Sequence, residues 1–81
     1  MRIAVVGAGA WGTALADLLA SNGHDTVIWA FEPDVAASIN ERHENRFLKG
    51  ATLDASLRAT TDQRDAEPRH LVQAARDQRR A

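Results

Sequence analysis

Six residues constrain this chain more than any others: Gly7, Ala8, Gly9, Ala10, Trp11 and Gly12, a G-x-G-x-x-G. Just before them run Arg2, Ile3, Ala4, Val5 and Val6, a β-branched stretch that reads as a short buried parallel strand. Just after them, residues 10–22 read as a helix, with Trp11, Leu15, Leu18 and Leu19 recurring at helical spacing beside Ala14 and expected to face one core. Asn22 and Gly23 end it, Gly23 being suited to the left-handed position that follows a helix. Asp25 to Ala30 reads as a second strand. Pro33 opens a second helix to about His43, with Val35, Ala36 and Ile39 on its inner face.

Strand, helix and strand within thirty residues make a βαβ unit, its crossover right-handed and its strands parallel and adjacent. In that setting each glycine of the motif has a task. Gly7 permits the tight turn out of the strand, Gly9 leaves room for a pyrophosphate against the backbone, and Gly12 lets the helix lie close to the strand. The N–H groups and positive dipole end at the helix start face an anion. Glu32 lies twenty residues after Gly12, at the tip of the second strand. There a carboxylate accepts hydrogen bonds from the adenosine ribose hydroxyls and repels a 2′-phosphate. Phe31 is placed to cover an adenine face. The motif therefore predicts an adenine dinucleotide, NAD(H) in preference to NADP(H). Two rival readings stand beside it: glycines that only shape a turn, and Glu32 as a cap or first-turn residue of the helix at Pro33.

With 81 residues the chain holds one small domain at most, and such a domain buries only roughly 60–65% of the surface of its unfolded chain. The expected fold class is α/β: a truncated Rossmann-type dinucleotide-binding domain, βαβ with parallel strands, a short third strand over Leu57 to Thr61, and a polar C-terminal helix over 68–80. Residues 44–56 read as a loop punctuated by Gly50. Residues 1–62 form the amino-terminal half of the dinucleotide-binding domain, and 63–81 a divergent polar tail. From Asp62 onward there are five arginines and four acids, Leu71 and Val72 are the strongly apolar residues, and no further buried strand is legible.

A net charge of −1 argues against nucleic acid or an anionic membrane surface as partner. No apolar run nears the ~20 residues that span a bilayer, and Ile3 to Val6 is too short for a signal-peptide core. Without cysteine there is neither disulfide nor thiolate metal site, which suits a cytoplasmic protein. His24, His43 and His70 are dispersed, so no metal site is expected. His24 reads as a solvated turn residue, Trp29 as core, and Arg76, Arg79 and Arg80 as a solvated helix end. No catalytic residue is assigned. An incomplete parallel sheet leaves an edge and an apolar face through which the chain is expected to self-associate.

Over residues 1 to about 62 the sequence resembles NAD(P)-dependent glycerol-3-phosphate dehydrogenase. The resemblance rests on Gly7 to Ala16, with its tryptophan before the third glycine, and on Trp29, Ala30, Phe31 and Glu32. It rests further on Asn40, His43, Asn45, Phe47, Leu48 and Gly50, then Leu53, then Leu57 and Ala59 to Asp62. The resemblance implies a nucleotide domain joined to a helical substrate domain, and hydride transfer between nicotinamide and dihydroxyacetone phosphate. It implies dinucleotide contacts at Ala10, Trp11 and Phe31, a structural hydrogen bond from His43, and no catalytic part for Lys49. The pair Phe31 and Glu32 resembles the NAD-using branch. The Trp11 motif and the His43–Asn45 loop argue against an FAD-binding domain, which opens with the same glycines. Lys49 and Asp54 stand where the family usually carries proline, which predicts a looser loop. The change of character after Asp62 resembles a reading-frame shift or an eroded gene end. The substrate domain is not recognisable in the 81 residues, so no turnover by them alone is expected.

Overall fold

A computed structural model describes residues 2–62, 64 and 70–72. Strand β1 spans Arg2–Val6, helix α1 Ala10–Ser21, strand β2 Asp25–Trp29 and helix α2 Pro33–Arg42; strands β3, Arg58–Thr60, and β4, His70–Val72, complete the order. All pairings are parallel. Arg2 faces Asp25 and Val6 faces Trp29 in the β1–β2 ladder, Val27 faces Arg58 in β2–β3, and Ile3 faces His70 in β1–β4. The Gly7 N–H donates to Trp29 O (2.9 Å) and the Ala30 N–H to Thr60 O (2.9 Å), so both ladders run on past the strand ends.

The sheet order is β3-β2-β1-β4. This is the opening order of the doubly wound dinucleotide fold: the chain steps outward from β1 to β3, then returns to the other side of β1. The return strand corrects the sequence reading, in which no further buried strand was legible and a polar helix ran over 68–80. Residues 70–72 form β4; the rest of that expected helix lies outside the described residues. Three residues carry neither an alternating pattern nor an apolar run of useful length. What places them is the open edge of β1, whose N–H and C=O groups are left unpaired by β2 alone.

Helices α1 and α2 cover one sheet face. Beneath them Ile3, Val5, Ile28, Val35, Ile39, Leu53 and Leu57 form one core with Ala8, Ala16, Ala20, Ala30, Ala36 and Ala59. Ala4 and Val27, one residue out of phase, form a small second cluster. Helix α2 uses the face its sequence predicts, Val35, Ala36 and Ile39. Helix α1 does not. Its buried residues are Gly12, Thr13, Ala16 and Ala20, Leu15 and Leu19 pack at the flanks, and Trp11 and Leu18 stand 51% and 56% exposed. A stripe of small residues at i, i+4 and i+8 lets α1 approach the sheet closely, which turns two of its bulky side chains outward.

The exit of α1 follows its glycine. Gly23 has φ +92°, its N–H donates to Ala20 O (3.0 Å), and the His24 N–H donates to Leu19 O (3.1 Å), the two bonds of a Schellman ending. Helix α2 ends instead on His43 in the left-handed conformation, φ 57°, a costlier choice for a residue with a Cβ.

Candidate dinucleotide site

The site lies at the C-terminal end of β1, where the sheet order reverses between β1 and β4. In open α/β sheets this is where ligands bind. Gly7 leaves the strand with φ +108°, a conformation that disfavours any side chain. Gly9 is the N-cap of α1 in an extended conformation, and its carbonyl accepts the first helical bond from the Thr13 N–H at 2.9 Å. No side chain caps α1, and no acid sits in its first turn. The N–H groups at Ala10, Trp11 and Gly12 therefore meet no side-chain acceptor from the cap, and the dipole end carries no built-in countercharge. Ala10 and Trp11 are exposed, while Gly12 is buried beneath the helix.

The tip of β2, beside that of β1, carries the other residues that the sequence assigns to the site. Phe31 is 69% exposed, and its ring meets that of Trp29 edge-on, with centroids 4.6 Å apart. Trp29 is half-buried rather than fully in the core, and its indole N–H donates to Thr61 O at 3.0 Å. Glu32 occupies the N-cap position of α2, where its carbonyl accepts from the Val35 and Ala36 N–H groups. Its carboxylate makes no capping hydrogen bond, so it is the main chain that serves the helix. Helix α2 has its own acid in the first turn, Asp34, paired with Arg46 at 2.7 Å. An uncapped helix start behind the glycine turn, an exposed ring and a carboxylate at the strand tip are groups an adenine dinucleotide can use, and these residues fit it.

A residue of the 43–53 loop joins the site that the sequence reading had not singled out for it. Asn45 is 2% exposed. Its amide donates to Ala8 O (2.9 Å) and Thr13 Oγ1 (2.7 Å), inside the glycine loop. The structural hydrogen bond expected of His43 is not made by its Nδ1; its main chain bonds instead, the N–H donating to Ile39 O (3.1 Å) and the carbonyl accepting from the Leu53 N–H (2.8 Å). The His43 Nδ1 is buried without a partner among the described residues. The spacing His43-x-Asn45 pointed to the right loop, but the contacts span 37 and 32 residues and leave no local signature.

One of the two proline replacements in this loop, Asp54, carries compensation. The Asp54 N–H donates to Asp17 Oδ1 on α1 at 2.7 Å, a bond proline could not make. Hydrogen bonds from the Ser56 hydroxyl and N–H hold the Asp54 carboxyl below the usual carboxylate range, and those from Arg64 do the same for Asp62. Lys49 lines a separate concavity of about 340 Å³ with Ser38, Arg42, Leu48 and Thr52. No metal-binding cluster occurs among the described residues, and no helix among them is long and apolar enough to cross a membrane.

Comparison with known proteins agrees with this geometry. Residues 2–72 match the family described as NAD-dependent glycerol-3-phosphate dehydrogenase N-terminus, so the match runs past Asp62 and through β4. A glycerol-3-phosphate dehydrogenase (NAD(P)+) of Stenotrophomonas maltophilia strain K279a is 60% identical over 62 residues, covering 75% of this chain and 18% of that protein. The enzyme of the same name from Nitratidesulfovibrio vulgaris strain DP4 is 52% identical over 67 residues, covering 82% and 20%. The crystal structure of glycerol-3-phosphate dehydrogenase from Coxiella burnetii superposes with a TM-score of 0.75 at 33% identity, over 85% of this chain and 22% of that one. The chain spans about a fifth of the length of the curated relatives it matches. On sequence and fold together, this chain belongs to the NAD-dependent glycerol-3-phosphate dehydrogenase family, matching its N-terminal part.

Proposed function

We propose that this chain binds NAD(H) at the start of α1 and is the cofactor-binding part of a glycerol-3-phosphate dehydrogenase. The observation that carries the proposal is the uncapped, acid-free N-terminus of α1 at the point where the sheet order reverses. Gly9, Ala10 and Trp11 meet the pyrophosphate through main-chain N–H groups, Gly7 makes the turn that brings them to it, and Gly12 lets the helix lie close to the strand. Phe31 covers the adenine, and Glu32 takes the ribose hydroxyls. Bound there, NAD(H) supplies the hydride that the full-length family exchanges with dihydroxyacetone phosphate and glycerol 3-phosphate. Hydride transfer also needs a held substrate and a proton donor in reach. We assign neither to these 81 residues, and in isolation they do not turn over; steady-state NADH oxidation with dihydroxyacetone phosphate would contradict this. The absence of cysteine suits a cytoplasmic setting.

The carboxylate of Glu32 repels a 2′-phosphate, so calorimetric titration is expected to give NAD an affinity about tenfold above NADP, with Glu32→Gln narrowing the gap. Equal affinities in the unmodified chain would remove Glu32 from the site. A second reading, self-association, is favoured by the exposed Leu18 and by β3 and β4 lying at the sheet edges. Sedimentation over a concentration series decides it, a monomer at the highest concentration excluding it.

A further inference from the structure

We propose that Asn45 is a positioning residue of the dinucleotide site: by holding the Ala8 carbonyl inward, it aims the Gly9 N–H at the pyrophosphate. This rests on the NAD(H)-binding reading above and adds to it a residue on a distant loop.

The hydrogen bonds around Asn45 form one consistent set. Its two amide protons go to Ala8 O and Thr13 Oγ1, and its Oδ1 accepts the Phe47 N–H at 2.9 Å. The Thr13 hydroxyl, having accepted from Asn45, donates its own proton to Ala8 O at 3.2 Å. Reversing the amide would set its oxygen against the Ala8 carbonyl and its protons against the Phe47 N–H, so the network fixes the orientation. Ala8, Thr13 and Asn45 are all buried, so the Ala8 oxygen has these two donors in place of water.

The direction of Gly9 follows from the peptide bond. The chain has no cis peptide among its described residues. In a trans peptide the carbonyl oxygen and the next N–H point opposite ways. With the Ala8 oxygen tied into the interior, the Gly9 N–H points the other way, toward the mouth of the helix. The local sequence does not enforce this. Ala8 sits between two glycines, whose backbones rotate at little cost, and a rotated 8–9 peptide would present an oxygen to an anion. The restraint has to come from elsewhere in the fold, and Thr13 and Asn45 supply it. The 43–53 loop in turn holds Asn45, through the Phe47 bond and the Leu48 N–H donating to Asn45 O at 2.9 Å.

The test is Asn45→Asp in the full chain, which keeps the size and removes the two donors. NAD is expected to bind about tenfold more weakly, while adenosine, which has no pyrophosphate, changes less than twofold. Without nucleotide, the amide resonances of Gly9, Ala10 and Trp11 are expected to move. Should Asn45→Asp fail to fold, Thr13→Val removes one donor from Ala8 O and is expected to weaken NAD about threefold with adenosine unchanged. Equal weakening of NAD and adenosine, or unmoved Gly9 to Trp11 resonances, overturns the proposal. If the unmodified chain does not bind NAD, the functional reading fails separately, and the nucleotide-free resonances decide the role of Asn45.

Discussion

The two helices lie on one sheet face yet are built on opposite plans. Helix α2 buries bulky side chains, Val35 and Ile39, and its first turn holds an acid, Asp34, paired with Arg46. Helix α1 buries Gly12, Thr13, Ala16 and Ala20, exposes Trp11 and Leu18, and begins without a cap or an acid. The difference separates two uses of a helix. Helix α2 has its first-turn acid tied into an ion pair and is fixed by its apolar face, which makes it a structural element. Helix α1 sits close to the sheet and presents a positive end without a cap or an acid, which suits it to the anion-binding role proposed for it.

The largest effect should come from the structural helix. Ile39 is fully buried, and Ile39→Ala is expected to cost about 3 kcal/mol in urea unfolding; a loss near zero would mean that α2 does not hold the core. Next, Ala16→Leu should destabilise by about 2 kcal/mol, because it inserts bulk into the close contact of α1 with the sheet. If Ala16→Leu were neutral, the close-packing account of α1 would fail. Third, Ala10→Asp gives α1 the first-turn acid that α2 already has. Thermal unfolding should show a small gain in stability, while NAD affinity falls about tenfold by charge repulsion. Opposite signs for folding and binding are the signature of a receptor end; a loss of both would contradict it. The smallest effect belongs to Leu18→Ala, within about 0.5 kcal/mol for an exposed side chain. A larger loss would show that Leu18 is covered in solution by another copy of the chain.

The low carboxylates add a pH dependence whose sign is fixed. Asp54 and Asp62 are held below their ordinary value in the folded chain. Their stabilisation is present above that ordinary value and is lost as pH falls through the lower folded one. Melting temperatures of Asp54→Asn and the unmodified chain should therefore converge in acid and separate toward neutral pH.

Much of this was legible in local chemistry. The β-branched run at 2–6, the glycines behind it, Gly23 after α1, and the spacing of Val35, Ala36 and Ile39 each announce their element within a few residues. Three features were not. β4 is three residues long and is placed by the edge of β1, far away in sequence. The inner face of α1 does not follow its bulky residues, because a close helix–sheet contact selects small ones. Asn45 acts across 32 and 37 residues, through hydrogen bonds that have no local pattern. In each case the deciding partner is remote.

Whether the start of α1 receives the nucleotide is decided by mapping amide shifts of the chain during an NAD titration. A receptor at the start of α1 gives saturable shifts concentrated at Gly7 to Thr13 and at Phe31 and Glu32, with α2 from Val35 to Arg42 nearly still. An unresponsive spectrum, or shifts gathered instead around Arg42, Lys49 and Thr52, would contradict it.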